Sequence, residues 1–172
     1  MERVAKKAGL AKGTLYLYFK DKKALLESMK EEALCPLREE MAGILAGELP
    51  PREKLEGLVT RPLEFFDENR NFLKVVLWQR QIVESFARRQ QSDMYRSFVE
   101  QVATVIEEGM ERKTFRRVDA AKAAVVFVEA DIAIARQRLF EPSVVKPEGD
   151  AKLLLDIFFD GIMARDSGTR RQ

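Results

Sequence analysis

The stretch "AKGTLYLYFKDKKALL", residues 11–26, decides how the rest of the chain is read. It holds three aromatic rings, Tyr16, Tyr18 and Phe19, and four lysines within sixteen positions. As a strand, "TLYLYF" alternates well, yet no partner strand is legible anywhere else in the chain. As a helix over about 12–19, Leu15 and Phe19 fall one turn apart on a buried face, while Lys12, Tyr16 and Lys20 share another. The helix is the consistent reading. Upstream, "ERVAKKA" (2–8) makes a short helix, and Gly9 stands where a left-handed turn residue belongs. Downstream, Asp21 is placed to cap the helix that begins at "KKALLESMKEEAL". A short helix, a glycine turn and a second short helix form a helix-turn-helix. Val4, Ala8, Leu10, Leu15 and Phe19 are its expected core. The second helix of such a unit enters the major groove of a duplex, and its N-terminal residues reach base edges. Gly13 allows close backbone approach. A tyrosine there offers a ring to thymine methyls or sugars and a hydroxyl to phosphate.

Charge is distributed in the same sense. Residues 1–30 contain eight Lys/Arg and three Asp/Glu, a balance of +5, and the remaining 22 and 25 leave residues 31–172 at −3. A basic head on a slightly acidic body suits contact with an anionic polymer, although a solvated helical face explains the same charges. The 172 residues, 46% of them apolar, suffice for one ordinary domain with a small module attached. Cys35 is the only cysteine, so no intrachain disulfide forms. It is expected to be buried near Pro36, with oxidant sensing as the other use of such a thiol. Histidine is absent, which removes Ser-His and Cys-His nucleophile pairs and histidine metal sites. Gly-rich phosphate loops and GxSxG elbows are missing too. An enzyme working through Glu or Lys would need an inward carboxylate pair, and the spacing offers none. No catalysis, no metal and no cofactor are expected. Neither a signal peptide nor a membrane-spanning run is legible, so a cytoplasmic location is expected.

Beyond the head the pattern is helical throughout, giving an all-α fold. Helices are expected over about 22–46, with Pro36 as a kink or break; from Arg52 to about Asn69, with an irregularity at Pro62; and across "FLKVVLWQRQIVESFARR" (72–89) as one or two helices. Further helices are expected from Met94 to about Lys113, from Asp119 to about Phe140, and over 150–165, before a frayed "SGTRRQ" tail. The implied division is a head at 1–27 and a larger body at 28–172. Two late helices, "AAKAAVVFVEADIAIARQRLF" and "AKLLLDIFFDGIMA", are apolar around most of their circumference. Either a second copy of the chain covers them in a four-helix contact, through Phe127, Ile134, Phe158, Phe159 and Ile162, or they lie at the centre of a larger bundle. Phe65, Phe66, Phe72, Trp78, Phe98 and Phe127 either line an apolar ligand pocket or are plain core. Glu129 and Asp131, in a very apolar helix, face a cationic ligand, pair with Arg136 or Arg138, or are exposed.

Taken together, "VAKKAGLAKGTLYLYFKDKKALL" (4–26) resembles the helix-turn-helix signature of TetR-family transcriptional regulators, above all at Ala5, Ala8-Gly9, Gly13-Thr14-Leu15-Tyr16, Tyr18-Phe19, Lys22 and Leu25-Leu26. "EEGMERKTFRRVDAAKAA" and "LLLDIFFDGI" are similar to the connection before that family's penultimate helix and to its last helix. The resemblance implies an all-helical homodimer that binds a palindromic double-stranded DNA operator. Its larger domain would take a small-molecule effector and pair through the last two helices. Carried over by position, Lys12, Gly13, Thr14, Tyr16 and Tyr18 face DNA, and Lys22 meets a phosphate. Effector binding would move the heads away from operator spacing, as in a repressor. The family also has a complete helix before the helix-turn-helix, whereas only Met1, Glu2 and Arg3 precede Val4 here. A dimeric small-molecule-binding module without a strong grip on DNA is therefore the alternative expectation.

Overall fold

The computed structural model describes residues 1–77, 93–141 and 145–162. Eight helices occur among them: α1 (Glu2–Lys7), α2 (Lys12–Tyr18), α3 (Lys22–Ala46), α4 (Pro51–Glu68), α5 (Arg70–Leu77), α6 (Asp93–Glu111), α7 (Ala120–Phe140) and α8 (Pro147–Ile162). No strand is present among the described residues. The boundaries follow local chemistry. Asp21 Oδ1 accepts the Ala24 N–H at 2.7 Å, and Asp119 Oδ1 accepts the Lys122 N–H at 3.0 Å, so both long helices start on a side-chain cap. The Asp119 carboxyl is held below the usual carboxylate range, chiefly by that backbone hydrogen bond. Prolines open α4 and α8, at first-turn positions where a missing N–H costs nothing. Thus α8 begins three residues earlier than its apolar pattern suggests.

Two expected interruptions do not occur. Pro36 lies within an unbroken α3, and Pro62 within an unbroken α4. An interior proline costs about 3 kcal/mol. Burial around each proline offsets that cost. Leu37 is buried just beyond Pro36, with Met41, Ile44 and Leu45 packed on the core further along. Pro62 is itself buried beside Leu63 and Phe65. The expected break at Pro36 does not occur because tertiary burial outweighs local preference.

α4 is the hub, in contact with α3, α5, α6, α7 and α8. Leu55, Leu58, Val59 and Leu63 on α4 meet Val102, Val105 and Ile106 on α6, Ala124 and Phe127 on α7, and Phe159 on α8 in the main apolar cluster. A smaller cluster joins Leu37, Phe65, Leu73 and Leu139. Gly109 on α6 faces Phe115, whose ring occupies the space a Cβ would need. Three charged residues are buried among these helices: Lys54, Asp131 and Arg138. Lys54 donates to the Leu45 carbonyl at 3.1 Å, closing the last turn of α3, and its ammonium lies 3.8 Å from Glu108. Arg138 donates to Asp67 at 3.0 Å, to Asp150 at 2.5 Å and to the Val145 carbonyl at 2.9 Å, so one guanidinium ties α4, α7, α8 and the segment before α8. The α6–α7 connection closes on α8 through Arg116, whose backbone N–H and Nε donate to the Ile162 and Gly161 carbonyls at 2.7 and 2.6 Å.

Candidate nucleic-acid interface

The head is built by α1, α2 and the first turn of α3. After α1, Gly9 takes φ = +68°, the Leu10 N–H reaches the Ala5 carbonyl at 2.9 Å, and the Gly9 N–H reaches the Lys6 carbonyl at 3.3 Å. This is a Schellman closure, which favours glycine at its left-handed position. It sets the angle at which α2 leaves. Ala5 and Leu15 are buried between the helices and Phe19 is half-buried, but Val4, Ala8 and Leu10 are exposed. The expected five-residue core is therefore smaller than its sequence pattern suggests. Two short helices share one line of contact, and a residue off that line meets water.

The residues assigned to DNA fall as follows. Lys12, Gly13, Tyr16, Tyr18 and Lys22 are exposed, and Thr14 is half-buried. Tyr16 is 46% and Tyr18 78% exposed, so neither phenol is sealed inside the globule. Lys12 lies 3.7 Å from the exposed Glu2 carboxylate, a surface pair that contributes little and leaves the ammonium available. Lys22 opens α3 directly after the Asp21 cap, which fixes its position relative to α2. Leu17, not among the expected contacts, is 84% exposed between the two tyrosines on α2. Its position carries the signal: it lies two residues from both Leu15 and Phe19, off their buried line.

α3 carries this head into the body. Its 25 residues span about 37 Å. Glu40 on α3 pairs with Arg61 on α4, which also lies 3.4 Å from Glu64. The Arg61 hydrogen bond holds the Glu40 carboxyl below the usual carboxylate range. Cys35 is exposed rather than buried, because its side of α3 lies off the Leu37–Met41 face. Its thiol donates to Glu39 at 3.5 Å, and that bond, with the Glu39 charge, raises its pKa and disfavours the reactive thiolate.

In the body, the aromatic residues do not gather in one place. Phe65 lies in the smaller cluster and Phe127 in the main one, while Phe66 and Phe98 are half-buried against it. Phe72 is exposed, and Trp78 lies outside the described residues, as do the rest of 78–92 and the 163–172 tail. A cleft of about 420 Å³ opens at the α4–α5 turn between Asp67 and Phe72, so Phe72 alone of these aromatics lines it. Of the residues expected at a dimer contact, Phe127, Phe159 and Ile162 are buried within their own protomer, and Ile134 and Phe158 are half-buried. The Phe127 and Phe158 rings pack at a tilt, 4.8 Å between centroids. The apolar side chains that α7 and α8 turn outward are instead Val125, Val126, Leu153 and Ile157. Glu129 accepts the Tyr95 hydroxyl at 2.7 Å. Asp131 is neither exposed nor paired: it is buried, and its Oδ1 has no hydrogen-bond partner.

A helix-turn-helix head with outward phenols and lysines, joined by one long helix to an all-helical body, defines a DNA-binding transcriptional regulator. The family described as bacterial regulatory proteins, tetR family, matches residues 1–29, and the tetracyclin repressor-like C-terminal domain matches residues 48–136. The chain belongs to the TetR family, a family of transcriptional regulators whose members bind DNA and act as dimers. It is 25% identical over 134 residues to the uncharacterized HTH-type transcriptional regulator YhgD of Bacillus subtilis, covering 78% of this chain and 70% of that one. It is 22% identical over 140 residues to the Fatty acid metabolism regulator protein of the same organism, covering 81% and 66%. Among solved structures, a putative fatty acid metabolism regulator of Clostridium perfringens superposes with a TM-score of 0.68 at 25% identity over 95% of this chain and 89% of that one. The TetR-family regulator PfmR of Thermus thermophilus gives 0.70 at 25% identity over 92% and 86%. No described helix is long and apolar enough to cross a membrane.

Proposed function

We propose that this regulator is a cytoplasmic, dimeric repressor that a small molecule releases from a palindromic operator. The observation that carries the reading is the outward face of α2. Lys12, Gly13, Tyr16 and Tyr18 are exposed around it, Thr14 is half-buried, and Lys22 follows directly on the Asp21 cap. Residues 1–27 act as the DNA-binding head and 28–172 as the effector and dimerisation body. Two heads must meet successive major grooves about 34 Å apart. A displacement of α3 at its body end carries α2 and Lys22 with it, and an effector acts by preferring one head arrangement over the other. Because two relatives are named as fatty acid metabolism regulators, an acyl compound is the effector class to test. Phe66 and Phe98, half-buried against the main cluster, supply aromatic surface to such a ligand. The dimer is assigned to the outward stripes of α7 and α8, around Val126, Leu153 and Ile157.

A second reading is a dimeric small-molecule-binding module with a weak hold on DNA. The exposed Val4, Leu10 and Leu17 of the head favour it. A gel-shift titration against a palindrome selected from random duplexes separates the two. A repressor gives a shift that weakens steeply with salt, Lys22→Ala weakens it across all sequences, and Tyr16→Ala relaxes sequence preference by about tenfold. A folded dimer that shifts no duplex supports the second reading and overturns the first.

A further inference from the structure

The inward stripe of α7 runs through Ala120, Ala124, Phe127, Val128, Asp131, Ala135, Arg138 and Leu139, all buried. Asp131 is the one member whose chemistry the fold does not use. One turn before it stand Phe127 and Val128, and one turn after it stands Ala135, all members of the main apolar cluster. Its Oδ1 is buried without a partner. The two buried cations are committed elsewhere: Lys54 to the Leu45 carbonyl, and Arg138 to Asp67, Asp150 and the Val145 carbonyl. Arg138 also stands two turns further along α7, about 10.5 Å in rise. A leucine has the same branched outline and carries none of the desolvation cost, so the carboxyl is a liability to the fold. An unsatisfied polar group in the core of a sensory domain calls for a partner from outside the protein.

We propose that Asp131 is an effector-binding residue, donating its carboxyl O–H to the carbonyl oxygen of an apolar acyl ligand. The proposal rests on the reading that the body binds a small molecule. Burial pushes the carboxyl well above the usual carboxylate range and so favours the neutral acid, which donates a hydrogen bond. A neutral acceptor on an apolar body matches that donor and the surrounding Phe127 and Val128. A ligand ammonium would require the ionised form and a buried ion pair, whose desolvation offsets much of the attraction.

The test is calorimetry on the full chain with S-dodecanoyl-N-acetylcysteamine, a neutral acyl thioester, and the matching dodecyl thioether, which lacks the thioester carbonyl and keeps the same acetamide. The wild type is expected to prefer the thioester by about tenfold. Asp131→Asn, whose amide also donates, keeps most of that preference. Asp131→Leu abolishes it while still melting cooperatively and binding the thioether as the wild type does. Preference retained in Asp131→Leu, no preference in the wild type, or tighter binding of dodecylammonium than of the thioester overturns the proposal. If the thioester releases DNA equally from wild type and Asp131→Leu, the role of Asp131 falls and the regulator reading stands. If no probe binds, the acyl assignment falls with it, and the salt-sensitive operator shift alone judges the regulator reading.

Discussion

Single side chains in this protein pull stability in opposite directions with pH. Glu40 is held below the usual carboxylate range by Arg61, so its contribution is present at neutral pH and is lost as pH falls through its lowered pKa. Asp131 has the reverse sign. Its folded-state pKa is raised by burial, so the folded state holds the proton more tightly than the unfolded chain does. Its stability is fully present below the unfolded value of about 3.9 and declines as pH rises toward the folded one. Asp131→Leu is accordingly expected to stabilise the protein by about 2 kcal/mol at pH 7, with a clearly smaller gain at pH 4. Urea unfolding at the two pH values measures both, and a gain equal at both would show that ionisation of Asp131 plays no part.

Between helices, Arg138 is the joint that matters most. One guanidinium satisfies the carboxylates of Asp67 and Asp150 and the Val145 carbonyl. It thereby fixes the C-terminal end of α4 and the start of α8 against α7. The guanidinium is buried while Asp67 and Asp150 reach solvent, so the carboxylates left by its removal are partly hydrated. Arg138→Met is expected to cost about 1–3 kcal/mol, a sizeable share of the margin of an ordinary domain. It should also speed amide exchange near Val145–Asp150 before it does so in the middle of α4. Exchange that rises uniformly across the chain would mean that the cluster is not a local clamp.

Across the protein as a unit, the outward apolar stripes of α7 and α8 are the proposed dimer contact. Leu153 and Ile157 are 58% and 68% exposed in the single chain, one turn apart on α8. Covering side chains of this size contributes about 1.5–3 kcal/mol each. Ile157→Glu is expected to yield a folded monomer by light scattering, with its thermal transition still cooperative and its operator affinity reduced by at least about a hundredfold, because one head reads only half a palindrome. A dimer of unchanged affinity in this variant would move the contact elsewhere.

The helical class, the helix-turn-helix at 2–18, the caps at Asp21 and Asp119 and the break near Asn69 are all legible in the order of the residues. Each is local: turn chemistry, capping and periodicity act within a few positions. The same order marks α7 and α8 as apolar nearly all round, yet it does not say which side the protomer keeps for itself. Packing settles that Phe127, Phe159 and Ile162 turn inward while Val126, Leu153 and Ile157 turn outward. Packing likewise leaves the helices around Pro36 and Pro62 unbroken, puts Cys35 in water and buries Asp131 alone. Each outcome depends on which distant helix meets a given face, and burial energy summed over such a contact exceeds any local preference of the residues that make it.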